Sequence, residues 1–390
     1  MSSQLTRRDW LRASGLLTAG VGLSCFSVAK TNSLPAPLAP EFVNEFAFTD
    51  DPFSKMNKLK ARLLANENPL GISPAAKEAL CKAAESGNRY AWTEFGQLKK
   101  LIADDELVTP ETIMLSPGSS DILMASADYF AKNGGTILTS AMTYDDLLDR
   151  SAKFGAKIVS VPMTKDYKFD LATIKSKITP DVKLVYLVNP NNPTGTVVPT
   201  AELESFIREV APKVPVFLDE AYIDFYEPAA RPKLGKLVAE GQNVILARTF
   251  SKIHGFAGLR LGYAIAKPEL LKAIKPYTNG EFAVSITTLM AGIASYQDKD
   301  WQNHCRAENA KARDYTSKAL ADMGYEVIPS SANFILFPIR MKTKTFSNAM
   351  FANGIGIQTR DFDGQPYCRV SIGTMDEMTA FIDSFKKVVG

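Results

Sequence analysis

The sequence predicts an α/β fold, in which a large domain has a mostly parallel sheet sandwiched by helices and a smaller C-terminal α/β domain follows. From about residue 64, short apolar runs alternate with longer amphipathic stretches, the pattern of βαβ units. Several runs are apolar at successive positions, as strands buried on both faces of a parallel sheet must be. After about residue 265 the pattern changes to long helices and then to a short βαβ-like tail.

The elements follow in chain order from these patterns. Apolar runs predict strands of the large sheet at residues 136–139, 157–161, 183–188, 214–218 and 243–247. Amphipathic stretches predict helices at residues 122–130, 200–210, 267–275 and 284–322. Thr200, just after Pro199, is expected to cap the helix that begins there. The tail is expected to contain strands near 333–338 and 368–372.

Four segments are expected from these changes of pattern. They are a signal peptide at 1–29, an arm at 30–63 that joins the small domain, a large domain at 64–280, and a connecting helix with the small domain at 281–390. We find no internal repeat and no low-complexity tract.

Composition excludes several classes of protein. The chain has 390 residues, and 45 Lys and Arg against 42 Asp and Glu leave a formal net charge of only +3. This balance argues against a nucleic-acid-binding protein, which normally carries a basic excess. Its 22 Phe, 13 Tyr and 3 Trp argue against disorder, because burying them offsets the entropy of ordering the chain. Beyond residue 30 no apolar run is long enough to span a membrane, so no stable membrane association is expected.

The first 29 residues resemble a twin-arginine export signal. Arg7 and Arg8 precede an apolar stretch that is rich in Gly and Ala and ends in Ser-Val-Ala, a small-x-small cleavage site. We expect cleavage after Ala29, recognition by the twin-arginine machinery and a periplasmic or secreted product. A frayed amphipathic helix, or lipid attachment at Cys25, is the weaker interpretation. The remaining cysteines, at 81, 305 and 368, have no metal-ligand spacing and are expected to be buried or free thiols.

Polar side chains follow three of the buried strands. An Asn/Pro/Gly segment begins at Asn189, Asp219 follows the strand at 214–218, and Lys252 and Arg260 follow the strand at 243–247. Because ligands bind at the carboxyl ends of parallel strands, these groups are expected to converge on one edge of the sheet. Each alone is more often a turn, a helix cap or a solvated charge.

Together these motifs resemble the fold-type-I pyridoxal-phosphate enzymes. They are Asn-Pro-Thr-Gly at 192–195, Asp-Glu-Ala-Tyr at 219–222, and Ser-Lys at 251–252 with Arg260 eight residues after the lysine. The chain is similar to class I/II aminotransferases of the histidinol-phosphate aminotransferase branch from about Leu63 to its C-terminus. The resemblance implies pyridoxal 5′-phosphate as cofactor, bound by the large domain.

The resemblance also implies roles for the residues around the cofactor ring. Lys252 would bind the cofactor as a Schiff base and then move the substrate proton. Asp219 would pair with the pyridine nitrogen and keep it protonated. Asn192 and Tyr222 would donate to the phenolic oxygen of the ring, and Tyr144 would stack on the ring.

A separate group of residues would hold the cofactor phosphate. Gly118, Ser119 and Ser120 precede a predicted helix and would place backbone N–H groups at its positive end. On these residues alone, without the other motifs, an ordinary Ser/Asp helix cap is the favoured interpretation. By resemblance, three further residues complete the phosphate site: Thr249, Ser251 and Arg260.

The remaining site residues concern the partner chain and the substrate. Tyr90, within Asn-Arg-Tyr at 88–90, matches a family tyrosine that reaches the cofactor phosphate of the neighbouring subunit, which implies a homodimer. Arg369 matches the arginine that binds the substrate carboxylate or phosphate, and Arg360 matches a second basic residue near the substrate. Asn66 lies in the segment that matches a loop over the substrate. His254 is interpreted as packing beside the site.

These observations favour an aminotransferase that acts on an amino acid, or an amino-phosphate such as histidinol phosphate, and a 2-oxo acid. A pyridoxal-phosphate-dependent racemase, lyase or decarboxylase remains open, because Lys252 and Asp219 would serve these reactions equally. A nicotinamide dehydrogenase is disfavoured, because the nearest glycine motif, at 354–356, has Thr359 in place of its third glycine. A non-catalytic binding protein has no use for such a lysine and aspartate. No metal is expected. Histidine biosynthesis takes place in the cytoplasm, whereas the first 29 residues predict export. The resemblance therefore does not identify the substrate.

Overall fold

A computed structural model describes residues 59–390 of the chain. The expected export signal and almost all of the expected arm lie outside the described residues. The described part contains twelve strands, listed here in chain order: β1 (Ala61–Arg62), β2 (Ile113–Ser116), β3 (Thr136–Ser140), β4 (Lys157–Val161), β5 (Val182–Val188), β6 (Val216–Asp219), β7 (Val244–Thr249), β8 (Gly262–Ala266), β9 (Phe334–Pro338), β10 (Ile355–Gly356), β11 (Gln358–Phe362) and β12 (Gln365–Ser371).

The α-helices of the described residues flank these strands. They are α1 (Pro74–Ala83), α2 (Trp92–Glu106), α3 (Ser119–Ala131), α4 (Asp146–Lys153), α5 (Leu171–Ser176), α6 (Thr200–Val210), α7 (Gly235–Ala239), α8 (Pro268–Ile274), α9 (Ile286–Gln297), α10 (Lys299–Asp322), α11 (Thr343–Ala352) and α12 (Met375–Val389). Short 3₁₀ turns connect several of them.

The large sheet has seven strands in the order β2-β8-β7-β6-β5-β3-β4. Strands β3 to β7 pair in parallel, and β8 is antiparallel to both β2 and β7. The central strands β5 and β6 are almost entirely buried, which explains their unbroken apolar sequences. The predicted α/β class is therefore confirmed, and the five predicted strands of this sheet are found within three residues of their expected ends.

A smaller sheet follows in the C-terminal part of the chain. Strands β11, β12 and β9 form a three-stranded antiparallel sheet, while β1 pairs in parallel with β10. The expectation of a βαβ-like tail is wrong, because β12 returns beside β9 in the antiparallel direction. A second hydrophobic core lies here, and it includes Ala61 and Leu63 with Phe337, Phe346 and Phe385. The exact domain boundaries stay a prediction.

Two expectations about helix ends are wrong for local reasons. The stretch at 284–322 is not one helix, because α9 ends at Gln297 and α10 begins at Lys299. Between them, the Asp298 carboxylate accepts a hydrogen bond from the Trp301 N–H at 3.0 Å and caps the second helix. Thr200 is the first residue of α6, and Pro199 occupies the cap position without a side-chain hydrogen bond.

A buried ion cluster lies behind the end of β6. The Arg248 guanidinium contacts the Glu106 carboxylate at 2.5 Å and the Glu220 carboxylate at 2.8 Å, and all three side chains are buried. Arg231 joins Glu106 at 2.7 Å and Asp224 at 3.0 Å. Because a buried charge is costly without a partner, these contacts hold the chain after β6 in one position.

No helix among residues 59–390 has the length and hydropathy that crossing a bilayer requires.

Candidate active site

The site is built at the carboxyl ends of three neighbouring parallel strands. Asp219 is the last residue of β6, where it pairs in register with Val188 of β5 and Ala247 of β7. Thr249 ends β7, and Lys252 follows three residues later. The parallel register therefore places the segments after β5, β6 and β7 side by side, as the sequence predicted.

The Asp219 carboxylate is buried, with 3% of the residue exposed. Its Oδ1 accepts a hydrogen bond from the Ala221 N–H at 3.0 Å. Burial raises the pKa of Asp219 to about 7, because the charged form loses hydration, although the Ala221 N–H and the Lys252 ammonium favour the charged form. A cationic group placed beside this carboxylate would restore its charge.

Lys252 lies half-buried beside this carboxylate. Its Nζ donates to the Ala65 carbonyl at 3.2 Å and lies 5.5 Å from the centre of the Tyr222 ring. Burial and the nearby Arg369 lower the pKa of Lys252 to about 8, while Glu67 and Asp219 oppose that shift. A large fraction of this amine is therefore neutral near pH 8, which is the form that can act as a nucleophile or base.

Tyr222 is buried, and a hydrogen bond to its hydroxyl group holds the side chain in place. Its hydroxyl accepts a hydrogen bond from Asn66 Nδ2 at 2.9 Å, and burial raises its pKa to about 12. Asn66 Oδ1 in turn accepts from the Ser371 hydroxyl at 2.8 Å, and the Asn333 amide donates to the Asn66 carbonyl at 2.9 Å. Both side-chain ends of Asn66 are thus engaged by protein groups, which makes Asn66 a support for Tyr222.

Arg369, on β12 of the small sheet, contacts Asn192, which follows β5 of the large sheet, and the space between the two sheets here is called the cleft. The Arg369 Nη1 donates to Asn192 Oδ1 at 2.7 Å, and its Nη2 donates to the Leu64 carbonyl at 2.8 Å. Its guanidinium carbon lies 5.6 Å from the centre of the Phe334 ring. Burial lowers the pKa of Arg369 to about 10, which leaves the guanidinium charged at neutral pH.

The expected stacking residue, Tyr144, lies at the edge of the same group. Its hydroxyl donates to the Asp146 carboxylate. Burial, and then the charge of Asp146, raise the pKa of Tyr144, and Asp219 and Tyr222 are close enough to contribute. Next to it, Arg360 Nη1 contacts Asp145 Oδ2 at 2.6 Å.

An anion cradle lies at the start of α3. Gly118 has a φ of +84° and immediately precedes the helix. A Cβ added at Gly118 would lie 2.2 Å from Arg260 Nη2, so glycine leaves the space that the guanidinium fills. Arg260 Nη1 also donates to the Ser251 hydroxyl at 3.3 Å, and the Thr249 hydroxyl donates to the Ser251 oxygen at 2.9 Å.

These groups fit pyridoxal phosphate. A helix N-terminus with a guanidinium and hydroxyls suits its phosphate, and a buried carboxylate without a cation in contact suits its pyridinium.

Two predicted residues lie apart from these groups. Tyr90 is 74% exposed and packs edge-on against Phe282. His254 is buried between aromatic rings, with Nδ1 2.8 Å from the Ser295 hydroxyl, and burial lowers its pKa to about 4. It is therefore neutral at physiological pH.

The sequence did not predict four residues that contact the predicted site residues: Asp145, Asp146, Asn333 and Ser371. The two aspartates directly follow Tyr144, so their position beside a predicted ring-stacking residue was a usable signal. Asn333 and Ser371 carried none, since each acts on a residue more than 260 positions away. Within residues 59–390 no cluster of His, Cys, Asp or Glu could hold a metal ion, and the thiols at 81, 305 and 368 are free.

Comparison with known proteins agrees with this geometry. Residues 59–385 match the family model of aminotransferase class I and II. The histidinol-phosphate aminotransferase of Moorella thermoacetica is 33% identical over 84% of this chain and 85% of its own length. The aromatic amino acid aminotransferase of Mycolicibacterium smegmatis is 33% identical over 83% of this chain and 88% of its own.

A solved structure extends the likeness to three dimensions. The crystal structure of histidinol-phosphate aminotransferase from Sinorhizobium meliloti in complex with pyridoxal 5′-phosphate has a TM-score of 0.79 and 27% identity, covering 90% of this chain and 97% of that one. Fold and site together define a pyridoxal-phosphate-dependent aminotransferase of fold type I. The chain belongs to the aminotransferase class I and II family.

We expect Gly118→Ala to weaken binding of pyridoxal phosphate to the apoenzyme by about tenfold or more, because the new methyl group would displace the Arg260 guanidinium. Gly364→Ala is the matched control, since Gly364 has a similar φ of +80° and open space around it. The measurement is a titration of cofactor into each apoenzyme. Equal affinities for the two variants would contradict the assignment of this cradle.

Proposed function

We propose that the protein transfers an amino group between an α-amino acid and a 2-oxo acid, with Lys252 as the group that binds the cofactor and carries the proton. The observation that supports this most directly is the half-buried Lys252, with its lowered pKa of about 8, beside the buried Asp219. A general base works best when its pKa lies near the operating pH.

Pyridoxal phosphate, when bound, supplies an electron sink that stabilises negative charge at the substrate Cα. We propose that the Lys252 amine would take the proton from the substrate Cα and return it to C4′ of the cofactor. Tyr222 and Asn192 would hold the ring by hydrogen bonding, and Asp219 would keep the pyridine nitrogen protonated. Because Asp219 is buried, its carboxylate has little hydration to lose when it pairs with this cation.

The other cofactor contacts divide between the phosphate and the ring face. The backbone N–H groups and hydroxyls at Gly118, Ser119 and Ser120 lie at the start of α3, where the helix dipole favours an anion. Thr249, Ser251 and Arg260 form a hydrogen-bonded chain beside them. Tyr144 is proposed to lie against the ring, with its hydroxyl held by Asp146.

Arg369 is proposed to bind the substrate carboxylate. Its guanidinium is charged, and both of its hydrogen-bond partners, Asn192 Oδ1 and the Leu64 carbonyl, are neutral acceptors that an anion can replace. The curated relatives act on different substrates by name, histidinol phosphate in one case and aromatic amino acids in the other. Relatedness alone therefore does not choose the substrate.

The test of transamination is a single-turnover mixture of purified holoenzyme and candidate amino acids. We expect the wild type to convert its cofactor stoichiometrically to the aminated form, because the amino group stays on the cofactor until a 2-oxo acid arrives. Lys252→Ala is expected to lose covalent cofactor attachment and at least about 10³-fold in rate. Lys311→Ala, at an exposed position of α10, is the control and should match the wild type. Turnover without the aminated cofactor would favour a racemase, lyase or decarboxylase.

We also propose a homodimer in which Tyr90 contributes to the neighbouring site. Tyr90, Trp92 and Phe282 form an exposed aromatic patch, with exposed fractions of 74%, 71% and 52%. Their rings already pack edge-on in one chain, with centroids 5.8 Å and 4.7 Å from Phe282. Exposed aromatic clusters of this kind are typical of protein–protein interfaces.

Two variants separate assembly from cofactor binding. Phe282→Asp is expected to produce an inactive monomer in analytical ultracentrifugation, because it places a charge in the aromatic patch. Tyr90→Phe is expected to remain a dimer and to lose about tenfold in cofactor affinity, through one hydroxyl contact to the phosphate. A monomeric, fully active wild type would overturn the proposal, and unchanged cofactor affinity of Tyr90→Phe would leave this tyrosine a packing role only.

Export by the twin-arginine route is proposed from the sequence at Arg7 and Arg8. We expect the exported protein to begin just after Ala29, and replacement of both arginines by lysine to retain the precursor in the cytoplasm. The control replaces the single Arg12 by lysine, which should leave export intact. N-terminal sequencing of cell fractions makes the measurement, and exported protein that still begins at Met1 would contradict cleavage.

A further inference from the structure

Arg360, the second arginine expected near the substrate, forms an ion pair with a carboxylate of the same chain. Arg360 lies on β11, and its Nη1 contacts Oδ2 of Asp145 at 2.6 Å. Both side chains are about one-third exposed, 33% for the arginine and 37% for the aspartate. Asp145 precedes the first residue of α4, and its side chain makes no capping hydrogen bond to that helix. Its carboxylate is thus directed to Arg360 and is not needed to start the helix.

The surroundings of this pair add negative charge. Asp146 follows at once and accepts a hydrogen bond from Tyr144. Asp149 lies one turn further along α4, and the charges of Asp145, Asp146 and Arg360 all act on it. Asp145 therefore contacts the Arg360 guanidinium directly, and the carboxylates of Asp146 and Asp149 are close enough to interact with its charge.

Arg369 has a different environment. Its two nearest acceptors, Asn192 Oδ1 at 2.7 Å and the Leu64 carbonyl at 2.8 Å, carry no charge. Its Nε has no hydrogen-bond partner among the described residues. No carboxylate of residues 59–390 forms an ion pair with it. Of these two arginines, Arg369 therefore has no carboxylate partner among the described residues, whereas Arg360 is paired with Asp145.

We propose that Asp145 is a specificity-determining positioning residue, which commits Arg360 and makes the site select substrates with a single carboxylate over substrates with a phosphate ester. This inference rests on the proposed transamination and names its substrate class. A carboxylate carries one negative charge and matches the planar guanidinium of Arg369. A phosphate ester carries a charge of roughly −1.5 to −2 and would need the second arginine as well, against the repulsion of Asp145.

The experiment compares two substrates that share the imidazole side chain. Histidine carries a carboxylate, and histidinol phosphate carries a phosphate ester in its place. Holoenzymes of the wild type and of Asp145→Asn are assayed with histidine and with histidinol phosphate, using one 2-oxo acid acceptor. In the wild type we expect kcat/KM to be higher for histidine. In Asp145→Asn we expect kcat/KM for histidinol phosphate to rise about tenfold, since one close charge is removed, while the value for histidine changes by less than about twofold.

A binding measurement keeps this inference separate from the proposed function. Inorganic phosphate is titrated into each holoenzyme, in which the cofactor already fills the phosphate cradle, and Asp145→Asn is expected to bind it about tenfold more tightly. Asp166→Asn, which breaks an exposed contact to Lys168 of the same 2.6 Å length, is the control and should behave as the wild type. Equal phosphate affinities in wild type and Asp145→Asn, or a wild type that prefers histidinol phosphate, would overturn the inference. A wild type that transaminates no amino compound contradicts the proposed function instead.

Discussion

The burial of the Asp219 carboxylate at the end of β6 is the constraint on which the site depends. An isolated carboxylate in such a place is unfavourable, and burial accordingly raises the pKa of Asp219 to about 7. The chain reduces the cost only partly, with one backbone N–H and the nearby Lys252. A ligand that brings a positive charge would offset the remaining cost, and the pyridinium of the cofactor is the cation that we propose for this position.

The next residue shows how the chain holds that carboxylate in place. Glu220 is also buried, and its Oε2 accepts from the Arg248 Nε at 2.8 Å, while its backbone N–H donates to the Ala247 carbonyl at 2.8 Å. Arg248 in turn contacts Glu106 at the end of α2. Two consecutive acidic residues therefore differ in their contacts, because Glu220 forms an ion pair with Arg248, whereas the Asp219 carboxylate accepts a hydrogen bond from the Ala221 N–H. This buried ion cluster fixes Glu220, and with it the chain next to Asp219, because separating a buried ion pair is costly.

The sequence was sufficient for features that depend on strand periodicity and strand direction. The bounds of β4 at 157–161 and the convergence of Asp219 and Lys252 follow from apolar runs and from the parallel register. The sequence did not predict contacts between side chains that are far apart in the chain. Ser371 donates to Asn66 from 305 positions away, and no local sequence pattern indicates this hydrogen bond. The break at Asp298 is an intermediate case. The aspartate was visible, but an acidic residue inside an amphipathic stretch becomes a cap only when the backbone turns there.

The contacts of Arg360 and Arg369 also join the small sheet to the large sheet. Arg360 and Arg369 lie on β11 and β12 of the small sheet, whereas their partners Asp145 and Asn192 follow strands of the large sheet. Each contact therefore ties the small sheet to the large one. An amide oxygen competes more weakly than a carboxylate for a guanidinium, because it carries no net charge. If Arg369 binds the substrate anion as we propose, that anion would replace Asn192 Oδ1 at the guanidinium and leave the charged Arg360–Asp145 contact in place.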